Sequence, residues 1–199
     1  MKFKRLLAAV LGAVMTLGIF SGCGSKDGEE KKFIITLYPD IAPITCENFQ
    51  SLVEDEFYNG LTFHRIVEGF MAQGGDPNGD GTGNGPETIK GEFAANGVEN
   101  NLAHTRGVVS MARGGDDMDS ASCQFFICYE AKSHLDGNYA AFGLVTEGME
   151  VVDGFLDIKR TTGLDGAESK PVSDIKIKAA KMISDDKDGN PRVEFIVEY

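Results

Sequence analysis

A mostly antiparallel all-β domain, closed or sandwiched and carrying two isolated helices, is the fold class that the sequence predicts. Three observations carry that expectation. Short runs rich in β-branched and aromatic residues recur along the chain, bounded by Gly, Asp, Asn or Pro. Only two segments place apolar residues at helical spacing. The 199 residues show no internal repeat, coiled coil or long linker beyond residues 24–32, which suits one domain with a substantial core. Many short strands then require closure or a second sheet, because open edges invite association.

In chain order, "KKFIITLYPD" reads as a strand that stops at Pro39. Pro43 opens "PITCENFQSLVEDEF", whose Cys46, Phe49 and Val53 predict a helix with Pro in its first turn. "TFHRIV" reads as a strand, and "GFMAQGGD" as a strand entering a Gly-rich loop. "GVVSMA", "CQFFICY" and "AAFGLVTE" read as three more strands. "GMEVVDGFLDI" predicts the second helix through Met149, Val152 and Leu156. "SDIKIKAAKMI" is a late strand, "SDDKDGN" a turn and "PRVEFIVEY" a final strand.

The N-terminus reads differently. Lys2, Lys4 and Arg5 precede the 15-residue apolar run "LLAAVLGAVMTLGIF", which is followed by "SGC". This is the order of a secretory signal, and the run is short of the roughly 20 residues that span a bilayer. Cys23 stands where a lipoprotein signal would place its lipidated cysteine. Residues 1–22 are therefore expected to be a lipoprotein signal peptide, 23–32 a tether and 33–199 the folded domain. Removing the three leading cations moves the net charge from −12 to −15. So acidic a domain does not attract nucleic acid or anionic lipid surfaces, and its membrane contact would come from acyl chains.

Cys46, Cys123 and Cys128 lack C-x-x-C spacing and read as small buried hydrophobes; an odd separation points the last two to opposite faces of a strand. His64, His104 and His134 form no local metal-ligand pair. "DPNGDGTGNGPE" (76–87) satisfies the calcium-loop pattern D-x-[DN]-x-[DN]-G-x5-E. Two glycines precede it where a helix is needed, and prolines occupy its second and eleventh positions. The expectation is a surface loop rather than an ion site.

On either side of that loop stand "APITCENF", "FHRIVEGFMAQGGD", "ETIKGEF", "SMA", "QFFI" and "LDGNYAAFG". In this order and spacing they resemble the cyclophilin family of peptidyl-prolyl isomerases over roughly residues 33–180. The resemblance implies a closed eight-stranded antiparallel barrel capped by two α-helices, acting as a monomer on proline-containing polypeptides without cofactor or metal. The chemistry explains why. Turning an X-Pro amide breaks no bond but must cross a resonance barrier of about 18–20 kcal/mol. The twisted amide leaves a more basic proline nitrogen, so a fixed donor aimed there stabilises the transition state above the ground state.

By resemblance, Arg65 is that donor and Gln73 the side chain that orients it. Phe70, Met71, Phe126 and Leu135 match the apolar pocket for the proline ring, and Gln124 another polar wall residue. Ala112 and Arg113 match the rim that binds peptide backbone, Arg113 standing where many members carry Asn. His134 stands where many eukaryotic members carry Trp, which implies weak cyclosporin binding, and Tyr139 replaces a pocket His. The family's usual leading strand has no counterpart, because "GSKDGEEKK" is too charged for a buried strand. "PRVEFIVEY" extends past the family's usual end, and its alternation suits a strand that takes the vacant barrel position. The whole reading is an exported isomerase, lipid-anchored at the extracytoplasmic face of a bacterial membrane and assisting folding there. A non-catalytic proline-peptide module or chaperone is the alternative.

Overall fold

The computed structural model describes residues 30–199; the expected signal peptide, Cys23 and most of the tether lie outside the described residues. Eight strands form one closed barrel. They are β1 (Lys31–Leu37), β2 (Thr62–Val67), β3 (Met71–Asp76), β4 (Val108–Met111), β5 (Phe125–Cys128), β6 (Ala141–Glu147), β9 (Lys176–Ile183) and β10 (Arg192–Glu198). Around the barrel they run β1-β10-β9-β2-β3-β5-β4-β6, every neighbouring pair antiparallel. Between β6 and β9, β7 (Arg160–Thr162) and β8 (Glu168–Pro171) make a separate two-stranded hairpin.

The barrel is filled by aromatic rings. Phe33, Phe49, Tyr58, Phe63, Phe125, Phe142, Phe155 and Phe195 are all buried, and Phe33 stacks on Phe195 with ring centroids 5.1 Å apart. Helix α1 (Pro43–Glu54) adds Cys46, Phe49, Leu52 and Val53 to this core. The predicted second helix is shorter: α2 (Met149–Asp153) passes into a 3-10 turn over Gly154–Asp157. The change falls at Gly154, where any Cβ would collide with the Tyr199 ring packed on Phe155.

Helix α1 lacks a side-chain cap at Ala42. Buried Glu92 supplies one from 48 residues away, its carboxylate accepting from the Ile44 and Thr45 backbone N–H groups and from the Thr45 hydroxyl (3.1, 2.8 and 2.7 Å). A negative group facing unpaired amide donors is favourable at a helix N-terminus.

The last strand lies inside the barrel wall, paired along its length with β1 and with β9. Its alternation is expressed in full, with Val193, Phe195 and Val197 buried. Because β10 reaches Glu198, the ladder with β1 extends back to Lys31, so β1 takes in the last two residues of the expected tether, which was to end at 32. Lys31 and Lys32 stay exposed there, Lys32 meeting Glu194 at 3.1 Å.

Candidate active site

The site is built on the outer face of β2, β3 and β5. Along β3 and β5, alternation sends Ala72, Phe125 and Ile127 into the barrel core and Met71, Phe126 and Cys128 into a second apolar cluster outside it, with Leu135. Cys123 lies just before β5 in the inner core, opposite Cys128; both thiols are free, and burial pushes the Cys128 thiol up to about 12.

Simple alternation fails at Arg65. Phe63 points inward, so Arg65 should follow it into the core, yet it faces outward. The register explains the switch: Phe63 opposes Gly74 and Arg65 opposes Gln73, which leaves His64 as an extra residue in a β-bulge. The ladder then places Arg65, Gln73 and Phe126 side by side on three adjacent strands.

A cavity of about 270 Å³ opens on this face. Arg65, Phe70, Met71, Gln73, Ala112, Arg113, Phe126, Leu135 and Tyr139 line it together. The two remaining predicted residues stand just beyond. Gln124 lines an adjoining cavity of about 310 Å³ that shares Gln73, Ala112 and Arg113. The His134 ring faces Phe70 with centroids 6.1 Å apart.

Polar contacts fix the upper wall. Arg65 Nη1 donates to Gln73 Oε1 (3.2 Å), and Gln73 Nε2 donates to Gln124 Oε1 (2.9 Å). Gln124 Nε2 in turn donates to the carbonyls of Gly83 (2.8 Å) and Gly81 (3.2 Å). Those carbonyls belong to the loop that carries the calcium-like pattern. Strand β3 precedes it rather than a helix, and the buried Asp76 carboxylate accepts from the backbone N–H groups of Asn78, Asp80 and Gly81. The loop's regular pattern therefore serves a turn whose product is a pair of carbonyls for Gln124.

The opposite wall is aromatic. The Phe126 ring meets Tyr139 edge-on (6.0 Å) and lies along the His104 ring (6.1 Å, 16°). Arg113 stacks over Tyr139 at 4.8 Å and spends its Nε on the Asn138 carbonyl and Nη1 on that of Gly114, so its donors secure the rim itself.

Two supports have no motif to announce them. His104, 1% exposed, joins Asp136 through Nδ1 (2.9 Å) and Ser110 Oγ through Nε2 (3.0 Å). Burial lowers its pKa despite Asp136, and Asp136 is itself held below the usual carboxylate range, first by the His104 backbone N–H. An ionised Asp136 accepts only, so the proton sits on Nδ1 and Nε2 accepts from Ser110. The second is Asp165 at the tip of the β7–β8 hairpin, whose Oδ2 accepts from Arg65 Nε at 2.7 Å. Burial pushes its carboxyl up, but donors from Arg65, Ser169 and Ala167 outweigh this and hold it at about 2. The D-G dipeptide at 165–166 signals a turn; nothing local signals its partner 100 residues away.

Comparison with known proteins agrees with this geometry. The family model for the cyclophilin type peptidyl-prolyl cis-trans isomerase matches residues 25–182, ending ahead of β10. The chain is 45% identical over 125 residues to peptidyl-prolyl cis-trans isomerase B of Bacillus subtilis, covering 63% of this chain and 82% of that one. It is 38% identical over 154 residues to peptidyl-prolyl cis-trans isomerase-like 1 of Aspergillus fumigatus, covering 77% and 90%. A crystal structure of a Cryptosporidium parvum cyclophilin type isomerase, in the presence of the dipeptide Ala-Pro, superposes with a TM-score of 0.66 at 25% identity, covering 85% of this chain and 98% of that one. The chain thus belongs to the cyclophilin-type family of peptidyl-prolyl cis-trans isomerases, and its activity is the cis-trans isomerisation of peptide bonds that precede proline.

Proposed function

We propose that this isomerase accelerates X-Pro rotation in exported polypeptides, held at the extracytoplasmic face of a bacterial membrane by lipid on Cys23, and so assists folding there. The placement is supported by the N-terminal sequence, with its cationic residues, 15-residue apolar run and following cysteine. Client recognition is proposed on the cavity, with the proline ring seated among Phe70, Met71, Phe126 and Leu135. The Ala-Pro present with the Cryptosporidium parvum relative supports the same class of ligand.

One observation carries the mechanism: a guanidinium stands opposite the apolar wall of a cavity, held through two of its three nitrogens. Arg65 Nε is bonded to Asp165 and Nη1 to Gln73, and among the described residues none accepts from Nη2. The bound amide turns against the apolar wall while Arg65 donates to the pyramidal proline nitrogen, an interaction that strengthens only as resonance is lost. Removing a donor of this kind costs about 10²–10³ in rate. Exchange of a Xaa-Pro peptide, followed by NMR magnetisation transfer, is expected to be fast with the protein and about a hundredfold slower with Arg65→Ala. Equal catalysis by a folded Arg65→Ala protein would remove Arg65 from this role.

A further inference from the structure

The β7–β8 hairpin is not part of the barrel, yet its tip reaches the strand that carries Arg65. Asp165 is fully engaged there. One carboxylate oxygen accepts from the Ala167 backbone N–H (3.0 Å) and the Ser169 hydroxyl (2.7 Å), which sets the side chain within its own turn. The other oxygen faces Arg65 Nε at 2.7 Å. On the barrel side, among the described residues, Arg65 has Gln73 at 3.2 Å, the Met71 sulfur at 3.8 Å and the Phe70 ring, whose centroid lies 5.9 Å from the guanidinium carbon, to hold it. A long side chain still about a third exposed (32%) would otherwise sample several rotamers across the cavity mouth.

From this geometry we infer that Asp165 is a positioning residue for the isomerisation. It clamps Arg65 through Nε, leaving Nη2 and the rest of the guanidinium edge for the X-Pro amide. Arginine is protonated at any working pH, so the carboxylate is not needed to charge it. Its contribution is a fixed orientation, and misplacing a reacting group by about 1 Å can cost up to about a hundredfold in rate.

The inference rests on the role proposed for Arg65, and its test separates the two. In the unaltered full-length protein the Arg65 Nε–Hε NMR resonance is expected to be resolved and protected from water exchange. A signal exchanging like that of free arginine overturns the clamp without any variant. With Asp165→Ala, isomerisation is expected to fall about ten- to hundredfold, mainly in kcat rather than KM, while the Nε–Hε protection is lost. Asp165→Asn, which keeps an oxygen acceptor in place, is expected to recover most of both. A rate within about twofold of the parent for Asp165→Ala overturns the proposal, as does a slow variant whose Arg65 resonance is unchanged. Should Arg65→Ala retain activity instead, the arginine reading fails while the measured clamp stands.

Discussion

Strand β10 lies beyond the reach of the family match, yet the barrel cannot close without it, and this can be tested at one residue. Phe195 is fully buried at the centre of the aromatic core, stacked on Phe33 at 5.1 Å with Phe125 at 5.7 Å and Tyr58 at 6.1 Å. Truncating such a ring leaves a cavity that the surrounding closed sheet cannot collapse to fill. Phe195→Ala should therefore cost about 3–5 kcal/mol. For a domain of this size about 1 kcal/mol moves Tm by 2–4 °C, so a fall of about 6–20 °C is expected in a calorimetric or circular-dichroism melt. Ile196, one residue on, is only half-buried, and Ile196→Ala should move Tm far less.

Deleting residues 191–199 is the harsher form of the same test. It removes three buried apolar side chains, Val193, Phe195 and Val197, at about 1.5–3 kcal/mol each. It also strips the hydrogen-bonding partners from one side of both β1 and β9, opening two edges. The apolar loss alone, about 5–9 kcal/mol, matches the whole stability of most domains, so no cooperative melt should remain. An unchanged Tm after the deletion, or a shift under about 2 °C for Phe195→Ala, would refute the reasoning that β10 is a wall strand.

Stability should also depend on pH through two buried imidazoles. Burial lowers the pKa of His64, where Asp76 and Asp80 oppose it and Arg65 reinforces it; His104 is lowered likewise, opposed by Asp136 and reinforced by His134. The unfolded chain then takes protons that the folded one refuses, so stability is complete above about pH 6.5 and declines as pH falls towards the folded values, by up to about 1.4 kcal/mol per pH unit for each histidine. The depressed carboxylates Asp136 and Asp165 lose their contribution only below their ordinary range, so urea midpoints that stay constant from pH 8 to 5 would contradict the reading. For the membrane tether, cells expressing the protein should incorporate labelled palmitate into it and retain it in the membrane fraction; Cys23→Ser should abolish the label, and label persisting in that variant would exclude this anchor.

Much of the site was legible through the family resemblance, because the block "FHRIVEGFMAQ" carries Arg65, Phe70, Met71 and Gln73 within nine residues. Strand alternation alone would have left Met71 and Phe126 as core packing; that β3 and β5 have a second apolar face outside the barrel shows only in the folded sheet. Strand β2 spans the predicted Thr62–Val67 because "YNG" ends the preceding turn before a β-branched and aromatic run. What stayed hidden has no local signature. The bulge at His64 is a property of the β2–β3 register rather than of either strand, since only pairing across strands shows two residues facing one. The hairpin over residues 160–171 is too short and polar for its period to stand out.

The long polar links form the largest gap, and they share a physical cause. Glu92 at the start of α1, Asp136 on His104, Gln124 under the Gly81–Gly83 carbonyls and Asp165 on Arg65 each join segments 32 to 100 residues apart. An apolar residue announces its burial through periodicity, because many neighbours can share the same contact. A buried carboxylate needs particular donors, which any of several chain segments could supply, and its own neighbours say nothing about which one does. The calcium-like loop shows the same limit from the other side. Its Asp and Gly positions describe the turn correctly, but that turn's use, offering two carbonyls to Gln124 and through it steadying Gln73 and Arg65, is visible only once β5 lies beside β3.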